Sequence, residues 1–247
     1  MYDYGARFYD PSIVQWNSID PLASDPDNIS FSPYAYVWNN PLKYNDPTGM
    51  KGEGVDDIII THRAQDGTFT QVDYGDDGNL YNLDGSAYDG DNAFIHQAAN
   101  AINDARSTDS RVDKVFSELE SSNAIHTVSN VDFKKRSTAS YNVPSSDPDN
   151  KGGSLTVFAP EENRLRLGNE NYSDGAIMTH EFKHAYNREF GLSDYSPSSV
   201  GIINEEVDAV SFENLYHIGK GEPIRTKFAG KNIAPVLIPS GLYYNFK

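Results

Sequence analysis

The chain predicts an α+β protein, and three observations carry that reading. Four stretches, roughly 91–105, 109–122, 174–190 and 202–217, repeat their apolar residues at the 3.6-residue period of amphipathic helices. Short apolar runs at 57–62, 125–131 and 154–159 have the length and composition of strands. Residues 2–49 are different in kind: Tyr2, Tyr4, Phe8, Tyr9, Trp16, Phe31, Tyr34, Tyr36, Trp38 and Tyr44 alternate with Asp-Pro and Asn-Pro turns, a β-hairpin pattern.

Each element follows from local chemistry. After the aromatic hairpins, "KGEGVDD" reads as a polar, flexible linker over 51–58, and residues 59–247 form the second domain. "DIIITH" is a strand, and 64–92 alternates short apolar pieces with Asp-Gly and Gly-Asn turns, a β-meander. Its acidic turns do not place ligands at positions 1, 3, 5 and 12 around a Gly at 6, so they are turns and not calcium loops. The first helix sets Phe94, Ile95, Ala98, Ala99 and Ile102 on one face behind an Asp/Asn start, and the second does so with Val112, Val115, Phe116 and Leu119. "NVPSSDPDNKGG" at 142–153 reads as a loop before the strand "SLTVFA". Gly191 stands where a glycine ends the third helix. The tail from 221 is punctuated by Gly and Pro, with one short apolar strand, "APVLIP", at 234–239.

Composition removes several function classes. Twenty Lys and Arg face 36 Asp and Glu in 247 residues, a net charge of −16. Nucleic acid is thereby disfavoured as a partner, since binding it requires basic surface to neutralise phosphates. The same charge disfavours an anionic membrane surface and suits a basic protein partner. No run approaches 18 apolar residues, so no membrane span is expected, and "MYDYGARFYD" lacks the layout of a signal peptide. With no cysteine, disulfides and a Cys nucleophile are excluded, and a metal must be held by His and carboxylates.

The stretch "AIMTHEFKHAYNREFG", 176–191, carries the chemistry. On a helix, residues i and i+4 lie about 40° apart, so His180 and His184 aim at one point. Glu181 sits about 100° further round, placed to reach a water on a metal held there. This is the H-E-x-x-H arrangement, in which zinc acidifies the water and the glutamate takes its proton. With 6 His and 12 Glu in the chain, chance supplies such a pattern about 0.007 times. Catalytic zinc takes three protein ligands and leaves a fourth position open. The third ligand must come from His, Asp or Glu, and "NEEVDAVSFENLYH", 204–217, offers several. His62, His96 and His126 are scattered and read as ordinary surface or half-buried residues.

Two stretches resemble known families. "YDYGARFYDPSIVQWNSIDPLA" followed by "SPYAYVWNNPLKYNDPTGM" resembles the C-terminal end of an Rhs/YD-repeat core, over nearly all of residues 2–50. The resemblance implies the last piece of a β-rich delivery shell, a boundary at "DPTG" (46–49), a toxin domain beyond it, and a longer natural protein. Related shells cut themselves near this point with two aspartates, and Asp20 and Asp46 stand in similar positions. "DPLAS" lacks the glycine pattern of the self-cleaving members, and a turn role for both Asp-Pro pairs is the preferred reading.

"THEFKHAYN" with "NEEVDAVSFENLYH" resembles the NleD-like zincin metallopeptidase effectors, which also occur as toxin tips on Rhs proteins. The likeness is close over 150–217 and general over 60–150. It implies a zincin-like domain with an active-site helix and an antiparallel ligand-bearing helix, holding Zn2+ for peptide-bond cleavage. His180 and His184 are then ligands and Glu181 the general base. Zinc hydrolases with a glutamate ligand resemble N-E-x-x-small: Glu206 to Ala209 fits the E-x-x-small part and Asn204-Glu205 the Asn-Glu part. Glu206 is the preferred third ligand and Glu205 the alternative. Glu213 either accepts a histidine N–H behind the metal or is a solvated helix residue, and His217 is a further ligand candidate. Tyr186, Tyr216, Arg225 and Tyr243 are candidates to stabilise an oxyanion.

Together these readings describe a secreted effector, delivered by a secretion system, that cleaves proteins in a target cell and has a cognate immunity protein. Two rivals stay open: a zinc amidase acting on cell wall, and a non-catalytic binding module closed around a structural zinc by a fourth ligand.

Overall fold

The computed structural model describes residues 1–24, 28, 31–39, 44–46, 48–50, 53–54, 58–83, 85–122, 124–130, 140–146, 150–160 and 172–233. It divides into two compact units, Met1–Asp56 and Asp57–Lys247.

In the first unit, β1 (Tyr2–Asp3), β2 (Phe8–Asp10) and β3 (Gln15–Trp16) form an antiparallel three-stranded sheet. Asp10 closes the turn between β2 and β3 by accepting the Ser12 N–H at 2.9 Å. The small core is aromatic: Trp16, Tyr36 and Val37 are buried, with Tyr4 and Tyr9 against them. Tyr4 meets Trp16 edge-on at 5.3 Å, the ring geometry that adds attraction beyond area burial. β4 (Tyr44–Asn45) pairs with β5 (Glu53–Gly54), so part of the expected linker is strand.

The second unit is a mixed sheet covered by four helices. The strand order is β10-β11-β9-β6-β7-β8, with β6 (Ile58–Arg63), β9 (His126–Asn130) and β11 (Ser154–Phe158) parallel at its centre. β7 (Phe69–Tyr74), β8 (Leu80–Tyr81) and the edge strand β10 (Tyr141–Pro144) run antiparallel to their neighbours. β10 corrects the expected loop at 142–153. Its partner is the next strand, β11, across a short loop, and an edge position tolerates Pro144.

Helices α1 (Ala93–Arg106) and α2 (Ser110–Glu120) begin on the side-chain caps Asn92 and Asp109. Helix α3 (Asp174–Glu189) begins on Ser173, whose Oγ accepts the Ala176 N–H, and closes at Gly191 with φ 67°. Helix α4 (Asn204–Lys220) completes the layer. The sheet contributes Ile58, Ile60, Val72, Val128 and Phe158 to one core with residues from all four helices. Within it Phe116 of α2 and Phe182 of α3 stack at 4.5 Å.

Helices α3 and α4 lie antiparallel, as their side-chain pairs show. Ser173 meets Tyr216, His180 meets Glu213, and His184 meets Glu205. Their close approach requires Gly175, where a Cβ would stand 2.5 Å from Asp104 Oδ2 and 2.6 Å from the Tyr216 ring. The punctuated tail contains a hairpin the sequence pattern did not predict, β12 (Lys227–Phe228) with β13 (Lys231–Asn232). Its turn residues Ala229 and Gly230 have φ of 46° and 75°, the backbone of a two-residue hairpin loop. The expected strand at 234–239 lies outside the described residues. Among the described residues, no helix is long and apolar enough to cross a membrane.

One buried group makes stability depend on pH. Asp73 on β7 is 7% exposed, its Oδ1 has no hydrogen-bond partner among the described residues, and burial pushes its carboxyl up to about 6. The folded protein therefore holds that proton more tightly than the unfolded chain does. The associated stability is complete below about pH 4 and is lost as pH rises through about 6. Asp73→Asn is expected to raise the unfolding free energy by about 1–3 kcal/mol at pH 7 and by little at pH 4. Urea titrations of both proteins at the two pH values check this.

Candidate metal centre

His180 and His184 are buried on the face of α3 that meets α4. Their Nε2 atoms lie 3.2 Å apart. Glu206, in the first turn of α4, sets Oε2 3.3 Å from His180 Nε2 and 3.5 Å from His184 Nε2. Among the described residues this is the group of His and carboxylate side chains whose ligand atoms converge.

The distances fit a metal. A tetrahedral zinc with bonds of about 2.0–2.2 Å holds its ligand atoms about 3.3–3.6 Å apart, close to the three edges observed. Both imidazoles are also fixed in the required tautomer. Nδ1 of His180 donates to Glu213 Oε2 at 2.9 Å, and Nδ1 of His184 donates to Glu205 Oε1 at 3.1 Å. The two Nε2 atoms then face each other and Glu206 Oε2, three atoms of ligating type around one point. Glu206 Oε2 is buried at that point, its charge balanced by the two histidines.

The titration behaviour reports the same negative field. Burial opposes charge on His180, but hydrogen bonds to Glu206 and Glu213 outweigh it and push the imidazole up to about 10. Burial likewise opposes ionisation of Glu206 and is outweighed by both histidines, which hold the carboxyl far below its usual range. The carboxylates thus make a site whose field favours positive charge, on the histidines or on a bound cation. Glu181 is buried beside it, takes no hydrogen bond from any described residue, and is raised chiefly by burial, the condition of a base with affinity for a proton.

The adjacent glutamates divide the work. Glu206 faces the two Nε2 atoms, whereas Glu205 lies behind His184 and also accepts the Asp194 N–H at 3.2 Å. Glu213 is 1% exposed and accepts from His180, from His217 Nε2 at 3.3 Å and from Arg225 Nη1 at 2.7 Å, so it is not a solvated helix residue. His217 turns to Glu213 and Glu222 and is not in the converging group.

The proposed oxyanion groups point elsewhere. Tyr186 donates its hydroxyl to Glu118 at 2.6 Å, and Tyr216 donates to Asp104 at 2.6 Å while accepting from Ser173. The spacing of a helix says which face such a tyrosine shares, but not which neighbour draws its hydroxyl. Arg225 is engaged by Glu213, and Tyr243 lies outside the described residues.

Three features escaped the sequence reading. Lys183, inside the H-E-x-x-H motif, is 2% exposed; its Nζ lies 3.2 Å from Asp208 and over the rings of Tyr186 and Phe212. A lysine within an apolar face, followed by an aspartate on the next helix, was the available signal. His126 is not surface or half-buried but 1% exposed, held between Ser154 Oγ at 3.0 Å and Glu189 at 2.9 Å, and it ties the end of α3 to the sheet. The hairpin β12–β13 had no such signal.

In the first unit, Asp20 and Asp46 both pair with Arg7, Asp20 to Nη1 and Asp46 to Nη2, each at 3.0 Å. Each also closes a turn, Asp20 Oδ1 accepting the Leu22 N–H at 2.7 Å and Asp46 Oδ1 the Met50 N–H at 3.0 Å. Arg7 itself donates to the carbonyl of Gly49 at 2.5 Å. The two Asp-Pro turns are thus fastened to one another through a buried arginine.

Among curated proteins, the toxin subunit YenC2 of Yersinia entomophaga is 38% identical to this chain over 66 residues. That stretch is 27% of this chain and 6% of the toxin subunit, so the chain spans a small part of that protein. No protein-family model matches the chain, and no solved structure does.

Proposed function

We propose that the second unit is a zinc-dependent endopeptidase of zincin type, the toxin part of an Rhs effector that is secreted, delivered into a target cell and acts on proteins there. The observation that carries the chemistry is the triangle of His180, His184 and Glu206 ligand atoms, with both Nδ1 atoms committed to carboxylates behind them. The likeness to a toxin subunit supports the toxin context, and with it a cognate immunity protein as partner.

Zinc bound at these three residues would polarise the scissile carbonyl and acidify the attacking water. The rest belongs to the chain. Glu181 takes the proton of that water on its carboxylate and returns it to the departing amine nitrogen. Glu213 and Glu205 hold the two imidazole rings in register through their Nδ1–H groups, and burial of all four side chains excludes competing water. A structural zinc would need four protein ligands, and among the described residues the group supplies three.

The test is elemental analysis of purified protein together with a cleavage profile. One zinc per chain, and new peptide termini in a cell lysate that disappear on chelation, is the expected result. Release of amino groups from purified cell wall without lysate cleavage would make the enzyme an amidase. Absence of zinc would end the metallopeptidase reading.

A further inference from the structure

The hairpin that follows α4 touches the metal centre from outside its helices. Asn214 on α4 holds both backbone groups of Arg225, donating to its carbonyl at 3.0 Å and accepting its N–H at 2.6 Å. The Thr226 carbonyl accepts the Ile233 N–H at 2.8 Å, closing the hairpin at a buried Ile233, and Lys231 donates to the Gly201 carbonyl across the turn before α4. So fastened, the hairpin delivers two side chains to His180. Phe228 lays its ring against the imidazole at 6.1 Å and 7° from parallel. Arg225 donates from Nη1 to Glu213 Oε2, the same oxygen that accepts His180 Nδ1–H. Its guanidinium lies over Tyr172 at 4.2 Å and over Phe228 at 5.1 Å, so two rings help to hold it.

The geometry points to Arg225 as a positioning residue of the metal centre. It acts through Glu213 to set the orientation of His180, and the hairpin is the clasp that holds it there. This rests on the metal reading above. The physical reason lies in Glu213, a carboxylate with 1% exposure. One positive partner anchors its Oε2 at the angle that directs His180 Nδ1–H and, on the opposite side of that ring, Nε2 toward the metal. Without Arg225 the carboxylate can rotate toward His217, whose Nε2 already sits 3.3 Å from Oε1. His180 then loses its fixed orientation.

The test measures zinc affinity by competition with a chromophoric chelator, which does not depend on turnover. Arg225→Met is expected to weaken zinc binding about 10–100-fold, the usual effect of losing a partner behind a ligating histidine. Arg225→Lys, which keeps the charge at Glu213 and loses the stacked plane, should recover part of it. In a Glu213→Gln background, Arg225→Met should add less than about twofold, because the path it uses is already gone. Asn214→Ala, which frees the hairpin backbone and leaves Arg225 in place, should weaken binding in the same direction, and it decides the matter if Arg225→Met does not fold. Zinc affinity within twofold of wild type in Arg225→Met, or in Asn214→Ala when that variant stands in for it, would overturn the inference while leaving the metal site intact. So would equal losses in the Glu213→Gln and wild-type backgrounds. Failure of the wild-type protein to bind zinc would instead remove the reading beneath it.

Discussion

Glu181→Gln is expected to lower peptide cleavage by about 10²–10⁴-fold, the range contributed by a positioned general base, and to abolish toxicity in the target cell. Zinc content and thermal stability should stay within error of wild type. The amide keeps the volume of the carboxylate and removes its capacity to take a proton, and Glu181 takes no hydrogen bond from any described residue that the change would break. The effect should therefore fall on the rate of the chemical step. Substrate binding should change little, because Glu181 interacts most with the proton in transit. The measurement is a steady-state comparison on a cleaved peptide, paired with elemental analysis of the same samples. Full cleavage in Glu181→Gln would remove Glu181 as the base, whereas full toxicity without cleavage would leave the binding module as the better account.

The second large effect separates two neighbouring glutamates. Glu206→Ala is expected to bring zinc below one tenth of an equivalent after dialysis, because it removes one of three ligand atoms and leaves two imidazoles alone. Glu205→Ala should retain the metal at about 10–100-fold lower affinity, since it removes only the acceptor behind His184. The two variants also differ in stability without metal. Glu206 is a quarter exposed, so water can replace part of its pairing with the histidines, whereas loss of the buried Glu205 strands His184 Nδ1–H between the helices. Leaving that buried donor unpaired costs about 1–3 kcal/mol. Chemical unfolding of both variants in the presence of chelator should place Glu205→Ala as the less stable. An interchange of the two zinc results would make Glu205 the ligand.

The legibility of this site tracks how local each determinant is. His180, Glu181 and His184 lie within one and a half helical turns, so helix geometry alone relates them, and their meaning needed only the sequence. The helices that carry them were legible for the same reason: the apolar period of α1 and α2, the cap at Ser173 and the stop at Gly191 act within a few residues. The absence of cysteine left His and carboxylates as the possible ligands, and "NEEVDAVSFENLYH" contained the two glutamates that the structure sets against the histidines.

What remained depended on how α4 is rotated against α3 and on which residues meet from far apart in the chain. Glu205 and Glu206 have the same chemistry and adjacent positions, and only the close approach at Gly175 and the antiparallel pairing of the helices turned one toward Nε2 and the other toward Nδ1. Tyr186 and Tyr216 share the helices of the site, yet Glu118 and Asp104 from the first helical pair take their hydroxyls. Strand β10 exists because β11 accepts it as an edge, and His126 is buried because Glu189 and Ser154 close over it. The clasp at Arg225 and Phe228 likewise arises where a short tail folds back on α4. A sequence by itself determines contacts that one helical turn or one strand can make; orientation between elements, and so the division of labour among chemically equal residues, is set by packing across the core, where the partners come from different elements of the fold.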